Sequence, residues 1–463
     1  MVKTVKLQLF YADDETLEFH KAQEELWELQ KEVRSASNRM IQMCWEYNGF
    51  ESDWKKQTGK YPTKDEGKEV LGGKTLAGII YNRAKEDAPN LNTSDLSTTS
   101  QLVIAKFNSM KADIMRGTAS IPSFKRNLPI DLHKKAIKLT YEEDVNGAVV
   151  NWFFELSLFS LKRKKELGIS KSSLKFKAVI PARSKKFVSP ILERCYDGEY
   201  EICSSKLNYD NGKWYLLMCF SFERKEENMP VLDKSNIMGV HIGEHNAVQC
   251  VFSDKSYPKT IDGGEIEAFA IQIEKRRRSI GTASKKHSDL CGDGRTGHGY
   301  HAKMSPLKKI GAKVANFRNT VNHRYSRQIV DWAVQHKCGT IQLEDLTGYA
   351  TNELERYKLL KNWSYFDLMT KIESKAKEYG IEVVKVGYRS LQKWCNQCQN
   401  PSVIRKKDEN GNVHLVCTEC GQVFEINDNI SKALAVQDIA EILKKSKDQE
   451  DIEGTSEETT ENS

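Results

Sequence analysis

WSYFDLMTKIESKAKEYGIEVVKV, residues 363–386, decides the fold of the C-terminal half. Trp363, Phe366, Met369, Ile372, Ala376 and Tyr379 fall on one face of a helix, and IEVVKV (381–386) reads as the strand after it. Working outward, GTIQLE (339–344) is another strand, preceded by a basic helix near 305–336, and IMGVHI (237–242) and AVQCVF (247–252) are two more. From Ile237 the expected order is three strands, a long helix, a strand, a helix, a strand and a helix. Strands alternating with amphipathic helices predict an α/β layer domain.

The N-terminal half reads differently. Residues 2–11 look like a short strand. Phe19, Ala22, Leu26, Leu29, Val33, Ala36, Met40, Met43 and Tyr47 then alternate spacings of three and four, an apolar stripe along a helix of about eight turns. Asp13 and Asp14 are its N-cap candidates, and Asn48-Gly49 its stop. The stripe serves packing, against helices of this chain or of a partner. Two further helices fit 75–87 and 98–116. From Ile121 to about Glu227, short runs such as AIKLT, LKFKAVI and KWYLLMCFSF alternate with turns such as DNGK, which predicts a β-rich domain and a barrel. NWFFELSLFSLKRKKEL (151–167) fits strand or helix, and residues 222–236 form a polar linker. No internal repeat is present.

The chain has 463 residues, 39% hydrophobic and 29% charged, which describes a globular multi-domain protein. No apolar run reaches the ~18 residues a membrane span needs, and MVKTVKLQLFYADDET holds no signal-peptide core. An intracellular protein is expected. The net charge of +7 understates the basic body: residues 448–463 carry seven acidic and no basic residues, so residues 1–447 carry +14. A basic body suits a polyanion, most often nucleic acid. The acidic tail is too polar to pack and is expected to be disordered.

Seven of the 11 cysteines (Cys44, Cys195, Cys203, Cys219, Cys250, Cys291, Cys338) are scattered and read as reduced thiols. The other four form two knuckles, Cys395-x2-Cys398 and Cys417-x2-Cys420, separated by 18 residues. Such spacing places four thiolates around one Zn²⁺ at ~2.3 Å, and a closed set of four ligands makes the ion structural. Turn signals between the knuckles, including NGN, suggest a hairpin; Gln399 and Gly421 follow the first and second knuckle.

These features resemble a known family. Residues 237–440 resemble the RuvC-type nuclease domain of miniature CRISPR type V-F effectors, the Cas-twelve-f family, and of the related transposon-encoded TnpB proteins. The resemblance rests on MGVHIGEHNAV (238–248), KKIGAKVANFRNTVNHRYSRQIVDWAVQHKCGTIQLEDLTGY (308–349), residues 363–386, the knuckles and EINDNISKALAV (425–436). GKTLAGIIYNRAKED (73–87) and residues 94–139 are similar to type V-F proteins more than to TnpB. The resemblance implies a multi-domain α+β fold. Its parts are a wedge-type β-barrel (1–11 and 118–228), a helical recognition domain (12–117), an RNase H-like RuvC-type domain (229–390 and 423–445), a zinc ribbon (391–422) and a disordered acidic tail (446–463). It also implies a guide RNA, a double-stranded DNA target and two copies sharing one guide, a role the stripe at 19–47 would serve.

A two-metal nuclease holds two divalent ions ~3.5–4 Å apart, and Mg²⁺ wants carboxylate oxygens. The family pattern supplies three. The first, an aspartate in G-[IV]-D-x-G, aligns with His241 in Gly239-Val240-His241-Ile242-Gly243. The glutamate opening E-D-L aligns with Glu344, and the aspartate of D-x-N-[AG]-A aligns with Asn427. Imidazole is a poor Mg²⁺ ligand and asparagine offers a neutral oxygen. The expectation is therefore no catalytic Mg²⁺ and no cleavage: catalytic residues none, with His241, Glu344 and Asn427 as altered site positions. Asp428 and Glu244 lie nearby, but a one-residue shift turns a helical side chain by about 100°. His241 and His245 also allow a transition-metal pair, although a strand or turn histidine needs no such role.

Clustered cations are the phosphate-contact candidates. They are Lys125, Arg126, Lys162, Arg163, Lys164, Lys165 and Arg183 in the wedge region, then Lys275, Arg276, Arg277, Arg278, Arg295, Lys303, Lys308, Lys309, Lys313, Arg318, Arg324 and Arg327. The sequence as a whole predicts RNA-guided, cleavage-incompetent DNA binding in the cytoplasm, on the nucleoid when bound. It would control transcription by blocking polymerase or by recruiting a partner such as a sigma factor or RNA polymerase. The alternative is an RNA-guided endonuclease with residual activity.

Overall fold

The computed structural model describes residues 1–13, 16–223, 229–243, 246–285, 299–346, 363–407, 413–424 and 426–443, with the backbone alone at 283–285, 299–305, 308, 389, 407, 413–414 and 426–428. The chain divides into two units, Met1–Glu223 and Arg224–Ser463.

The first unit is built on an antiparallel sheet. Its strands are β1 (Val2–Tyr11), β2 (Ile130–Leu132), β3 (Ile137–Glu143), β4 (Val149–Ser157), β5 (Ser173–Val179), β6 (Glu201–Ile202), β7 (Ser205–Asp210) and β8 (Lys213–Ser221). They run in the order β2-β7-β8-β1-β5-β4-β3, with β6 beside β8. Alternation fixes the register: β1 buries Leu7, Leu9 and Tyr11, and β8 buries Trp214, Leu216, Met218 and Phe220, with Leu7 opposite Leu216 and Leu9 opposite Trp214. The β7–β8 hairpin turns at Asn211 and Gly212, with φ of 49° and 80°, the left-handed pair a two-residue hairpin needs.

The sheet is not the closed barrel expected. Its path ends on β2 and β3, which share no ladder. Only residues 133–136 separate those two strands in sequence, so the sheet curls its ends together. A 3-10 turn (Lys134–Ala136) joins the two strands, and α4 (Thr93–Met115) packs on β2 and on that turn. The ambiguous 151–167 stretch divides into β4 and α5 (Leu161–Glu166), whose first turn is capped by Ser160 Oγ accepting from the Arg163 N–H at 3.2 Å.

Helix α1 runs Phe19–Thr58, longer than the stripe suggests. Asn48-Gly49 does not stop it; the stop is Gly59, at φ 82°. Asp13 is no N-cap either. Its side chain accepts from Thr16 Oγ1 and from the Lys175 N–H, which ties the chain leaving β1 to β5; Asp14 lies outside the described residues. Ala22, Leu26, Leu29, Val33, Ala36 and Met40 are buried inside this unit, where α1 packs on α3 (Leu76–Asp87) and α4. The stripe is thus consumed within one chain and is not free to face a second copy. A short helix α2 (Lys64–Val70), unforeseen in the sequence, starts on a capping box between Thr63 and Glu66.

The second unit holds a mixed sheet of β9 (Asp233–His241), β10 (Val248–Phe252), β11 (Lys259–Ile261), β12 (Cys338–Asp345) and β13 (Glu382–Gly387). The order is β11-β10-β9-β12-β13. Both β9–β12 and β12–β13 are parallel, and the other pairs are antiparallel. The last four residues of the expected linker therefore belong to β9. Helices α7 (Gly264–Lys285), α8 (Gly299–Gln335) and α9 (Tyr365–Glu378) follow the expected order. In α9 the buried face is Tyr365, Leu368, Met369, Ile372 and Ala376, and Phe366 is 49% exposed. After β13 come α10 (Tyr388–Lys393), a three-stranded ribbon of β14 (Val403–Lys407), β15 (Val413–Cys417) and β16 (Val423–Phe424), and α11 (Ile426–Ala433). Among the described residues no helix is long and apolar enough to cross a membrane.

One buried acid in the first unit has a pH consequence. Asp95, with no exposed surface, lies in the first turn of α4. Its Oδ1 accepts the His133 N–H at 2.7 Å and its Oδ2 has no hydrogen-bond partner. Burial pushes the carboxyl up to about 8, opposed by the His133 N–H and assisted by the charge of Asp131. A raised folded pKa means stability is fully present below the unfolded value near 4 and is lost as pH climbs through about 8. Asp95→Asn should therefore be more stable than the parent above pH 8, by about 1–3 kcal/mol, with the gap closing toward pH 4. Urea melts at both pH values measure this; an equal difference at both would refute it.

Candidate functional site

The parallel pairing of β9 with β12 sets Leu343 beside Val240, so the next residues, His241 and Glu344, sit side by side. His241 is 4% and Glu344 3% exposed. Their side chains meet: His241 Nδ1 lies 2.6 Å from Glu344 Oε2. On the far side of the ring, Gly243 packs close enough that an added Cβ would lie 3.0 Å from Nε2.

The same sheet face is covered by the segment that ends α11. A Cβ at Gly239, two residues before His241, would clash with the Leu434 carbonyl carbon at 2.6 Å, so only glycine fits. Gln342, two residues before Glu344, donates from Nε2 to the Val436 carbonyl at 2.7 Å. These contacts bring α11, and Asn427 in its first turn, over the strands bearing His241 and Glu344. The side chains of Asn427 and Asp428 lie outside the described residues, as do Glu244 and His245. Neither Gly239 nor Gln342 was singled out in the sequence, although glycine in the middle of a strand signals close backbone approach.

The cysteines converge as their spacing requires. All four sulfurs lie within 4.8 Å of one another, the one such cluster among the described residues. Cys395 and Cys420 sulfurs are 3.8 Å apart, as are Cys398 and Cys417. A tetrahedron with ~2.3 Å metal–sulfur bonds has edges of ~3.8 Å, so the cluster can hold a tetrahedral ion without rearrangement. Gln399 and Gly421 take equivalent positions with φ of 56° and 68°. The Cys420 N–H and the Ser402 hydroxyl at Cys417 Sγ hold that thiol down to about 6, ready to ligate as thiolate. The ribbon is tied to α11: Asn396 Nδ2 donates to the Asn429 carbonyl at 2.9 Å, and Asn429 Nδ2 to the Trp394 carbonyl at 2.7 Å. Native mass spectrometry should find one Zn²⁺ per chain, and Cys398→Ser should lose it. A chelator should expose the amides of 395–435 to hydrogen exchange and leave residues 1–223 protected; a metal-free chain equally protected at 395–435 would refute this.

The basic candidates fall into three groups. Lys125, Arg126, Lys162, Lys165, Arg183, Lys275, Arg276, Arg277, Lys309 and Lys313 are exposed and Lys164 and Arg318 half-buried, with Lys162 Nζ 3.9 Å from Glu166 Oε1. Arg278, Arg324 and Arg327 are exposed but paired, to Glu274, Glu265 and Asp331; Arg327 also donates to Tyr379 Oη at 2.7 Å. Arg295 and the side chains of Lys303 and Lys308 lie outside the described residues. Arg163 departs from its expected role. It makes a two-pronged bond to Glu25 at 2.7 and 2.9 Å and a third to Glu166 at 3.0 Å, which raises its pKa further, Glu25 first. Glu25 is 3% exposed, so Arg163 neutralises a buried carboxylate and pins α5 to α1. Arg163→Met should cost about 2 kcal/mol in a urea melt, against less than about 0.5 for the exposed Lys162→Ala; equal costs would return Arg163 to the phosphate-contact group.

Comparison with known proteins identifies the family. None of the protein-family models searched matches the chain. The CRISPR-associated endodeoxyribonuclease Cas12f1 of Sulfoacidibacillus thermotolerans is 35% identical over 423 residues, 91% of this chain and 94% of that protein. This chain belongs to the Cas12f family. The Cas12f1 of Syntrophomonas palmitatica is 34% identical over 76% of this chain and 68% of its own length. The TnpB-like protein MJ0751 of Methanocaldococcus jannaschii is 27% identical over 41% of this chain and 64% of that protein, in line with the kinship of Cas12f to TnpB. A Cas12f1 solved by cryo-electron microscopy with single guide RNA and target DNA superposes with a TM-score of 0.67 at 16% identity, covering 94% of this chain and 99% of that one. The multi-domain α+β fold is thus that of Cas12f.

Proposed function

We propose that this Cas12f chain binds DNA under the direction of a guide RNA, forms an R-loop at matched targets and does not cut them. Family membership supports the guide and the target, since a solved relative is a complex with both. It also sets the contrast, because the curated relatives are named endodeoxyribonucleases. The observation that carries the proposal is the His241–Glu344 pair, both buried and 2.6 Å apart. In a RuvC-type reading of the second unit these are two of three metal-ligand positions. The residues present do not fit a magnesium pair. Glu344, the one carboxylate of that set, is already engaged by the His241 ring nitrogen, and an imidazole and an amide are poor partners for a hard cation. No hydrolytic step is therefore assigned.

What remains is recognition. Base pairing to the guide reads the target, and protein cations hold the backbones in register. A stable R-loop at a promoter excludes RNA polymerase, and one placed upstream recruits it through a partner such as a sigma factor. Two copies per guide remain part of this reading, as does the structural Zn²⁺.

The protein should co-purify with RNA whose sequence identifies a guide. The loaded complex should retain a matched duplex and yield no product with Mg²⁺ or Mn²⁺. His241→Asp combined with Asn427→Asp should raise Mg²⁺ affinity, seen as a metal-dependent rise in melting temperature that the parent lacks. A chelator-sensitive nick by the unaltered protein would overturn the proposal, and absence of any bound RNA would overturn its guided half.

A further inference from the structure

Helices α7 and α8 lie side by side and leave a groove of about 640 Å³ between them. Its floor is apolar: Ile266, Phe269, Ile273 and Phe317, with Phe269 and Phe317 stacked at 3.8 Å between centroids. Ile271, on the lip, is 56% exposed. Arg277 and Arg318 line its edges, and Lys313 stands over the Phe269 ring with its Nζ 5.9 Å from the centroid. Among the described residues these three cations make no ion pair, and Lys275 and Arg276 add exposed charge beside them. Of the two lining acids, Glu267 and Glu274, the latter is paired with Arg278. An apolar floor between unpaired cations calls for an apolar side chain flanked by carboxylates.

This chain carries such a segment. Residues 448–463 have seven acidic residues, no basic ones, and a single large apolar side chain, Ile452, set in Glu450-Asp451-Ile452-Glu453. We propose that this segment docks in the α7–α8 groove, with Ile452 on the phenylalanine floor and the carboxylates on Arg277, Arg318 and Lys313. Tether and groove lie in the same unit. Leu443 is buried in the same unit as the groove, and the nine residues to Ile452 span up to ~30 Å, against a radius of gyration of ~18 Å for a unit of that size. A tethered segment acts at millimolar effective concentration, so a weak contact suffices. The contact weakens with salt. If the proposed function holds, the segment also competes with nucleic-acid phosphates for these cations, a self-shielding of the basic face.

A carbodiimide, which joins carboxylates to lysines at zero length, tests the docking on the RNA-free full chain, independently of any nucleic acid. Peptide mapping at low salt should find Glu450, Asp451 and Glu453 joined mainly to Lys275 and Lys313. Ile452→Ser should reduce those links about threefold or more, and salt of about 0.5 M should abolish them. Links spread evenly over remote lysines such as Lys60 and Lys213, or unchanged by Ile452→Ser, overturn the proposal. So do links that join isotopically distinct copies, which place a second copy's segment in the groove. Neutralising the three acids to amides should then raise affinity for a non-matched DNA several-fold at low salt; unchanged affinity with the links intact overturns the competition alone.

Discussion

Two polar side chains at neighbouring positions of β9 and β12, each more than nine-tenths buried, bond to one another. An isolated carboxylate there would carry a heavy desolvation penalty. His241 removes it by supplying a proton at 2.6 Å. The rest of the second unit is arranged around that contact. Parallel pairing fixes the two residues side by side, Gly239 lets the end of α11 lie on the strand, and Gln342 ties that end down through Val436.

The ribbon enters the same structure from the other end of α11. Asn429 bonds the backbone at Trp394, one residue before the first knuckle cysteine, and Asn396 bonds back to Asn429. Ile430, Ala433 and Leu434 pack with Leu391 and Trp394 in one small core. A tetrahedral ion held by the four thiolates therefore stabilises more than its own hairpin. It fixes the helix that covers the His241–Glu344 face, which couples a structural metal to a site that itself holds none in the proposed reading.

Much of this was legible in the sequence because the relevant signals are local. The strand and helix periods from Ile237 onward, the knuckle spacing and the Asn211-Gly212 turn depend on residues a few positions apart. So do the two helices at 76–87 and 93–115. What was not legible depends on partners distant in sequence. The first sheet stays open between β2 and β3, although its strands alternate as a barrel's would. Gly49 continues a helix that Gly59 ends, because Asn48 is buried against the rest of the unit. Arg163 looks like one of four adjacent cations, and only Glu25, 138 residues away, removes it from the surface set. The His241–Glu344 contact, across 103 residues, is of the same kind: resemblance indicated which positions matter, but not that the two would bond to each other.

That contact bears on why the fold tolerates histidine at this place. A carboxylate at position 241 would face Glu344 across neighbouring strands, two like charges without solvent, stable only with a cation between them. A small neutral residue would leave Glu344 unpaired and open a gap above Gly243. Histidine fills the volume, donates the hydrogen bond and carries charge if it is needed. Retention of the sheet around Glu344 is thus a consequence of one side chain. The exposed cations of α7 and α8, which depend on neither, stay available to a polyanion whatever happens at the buried pair.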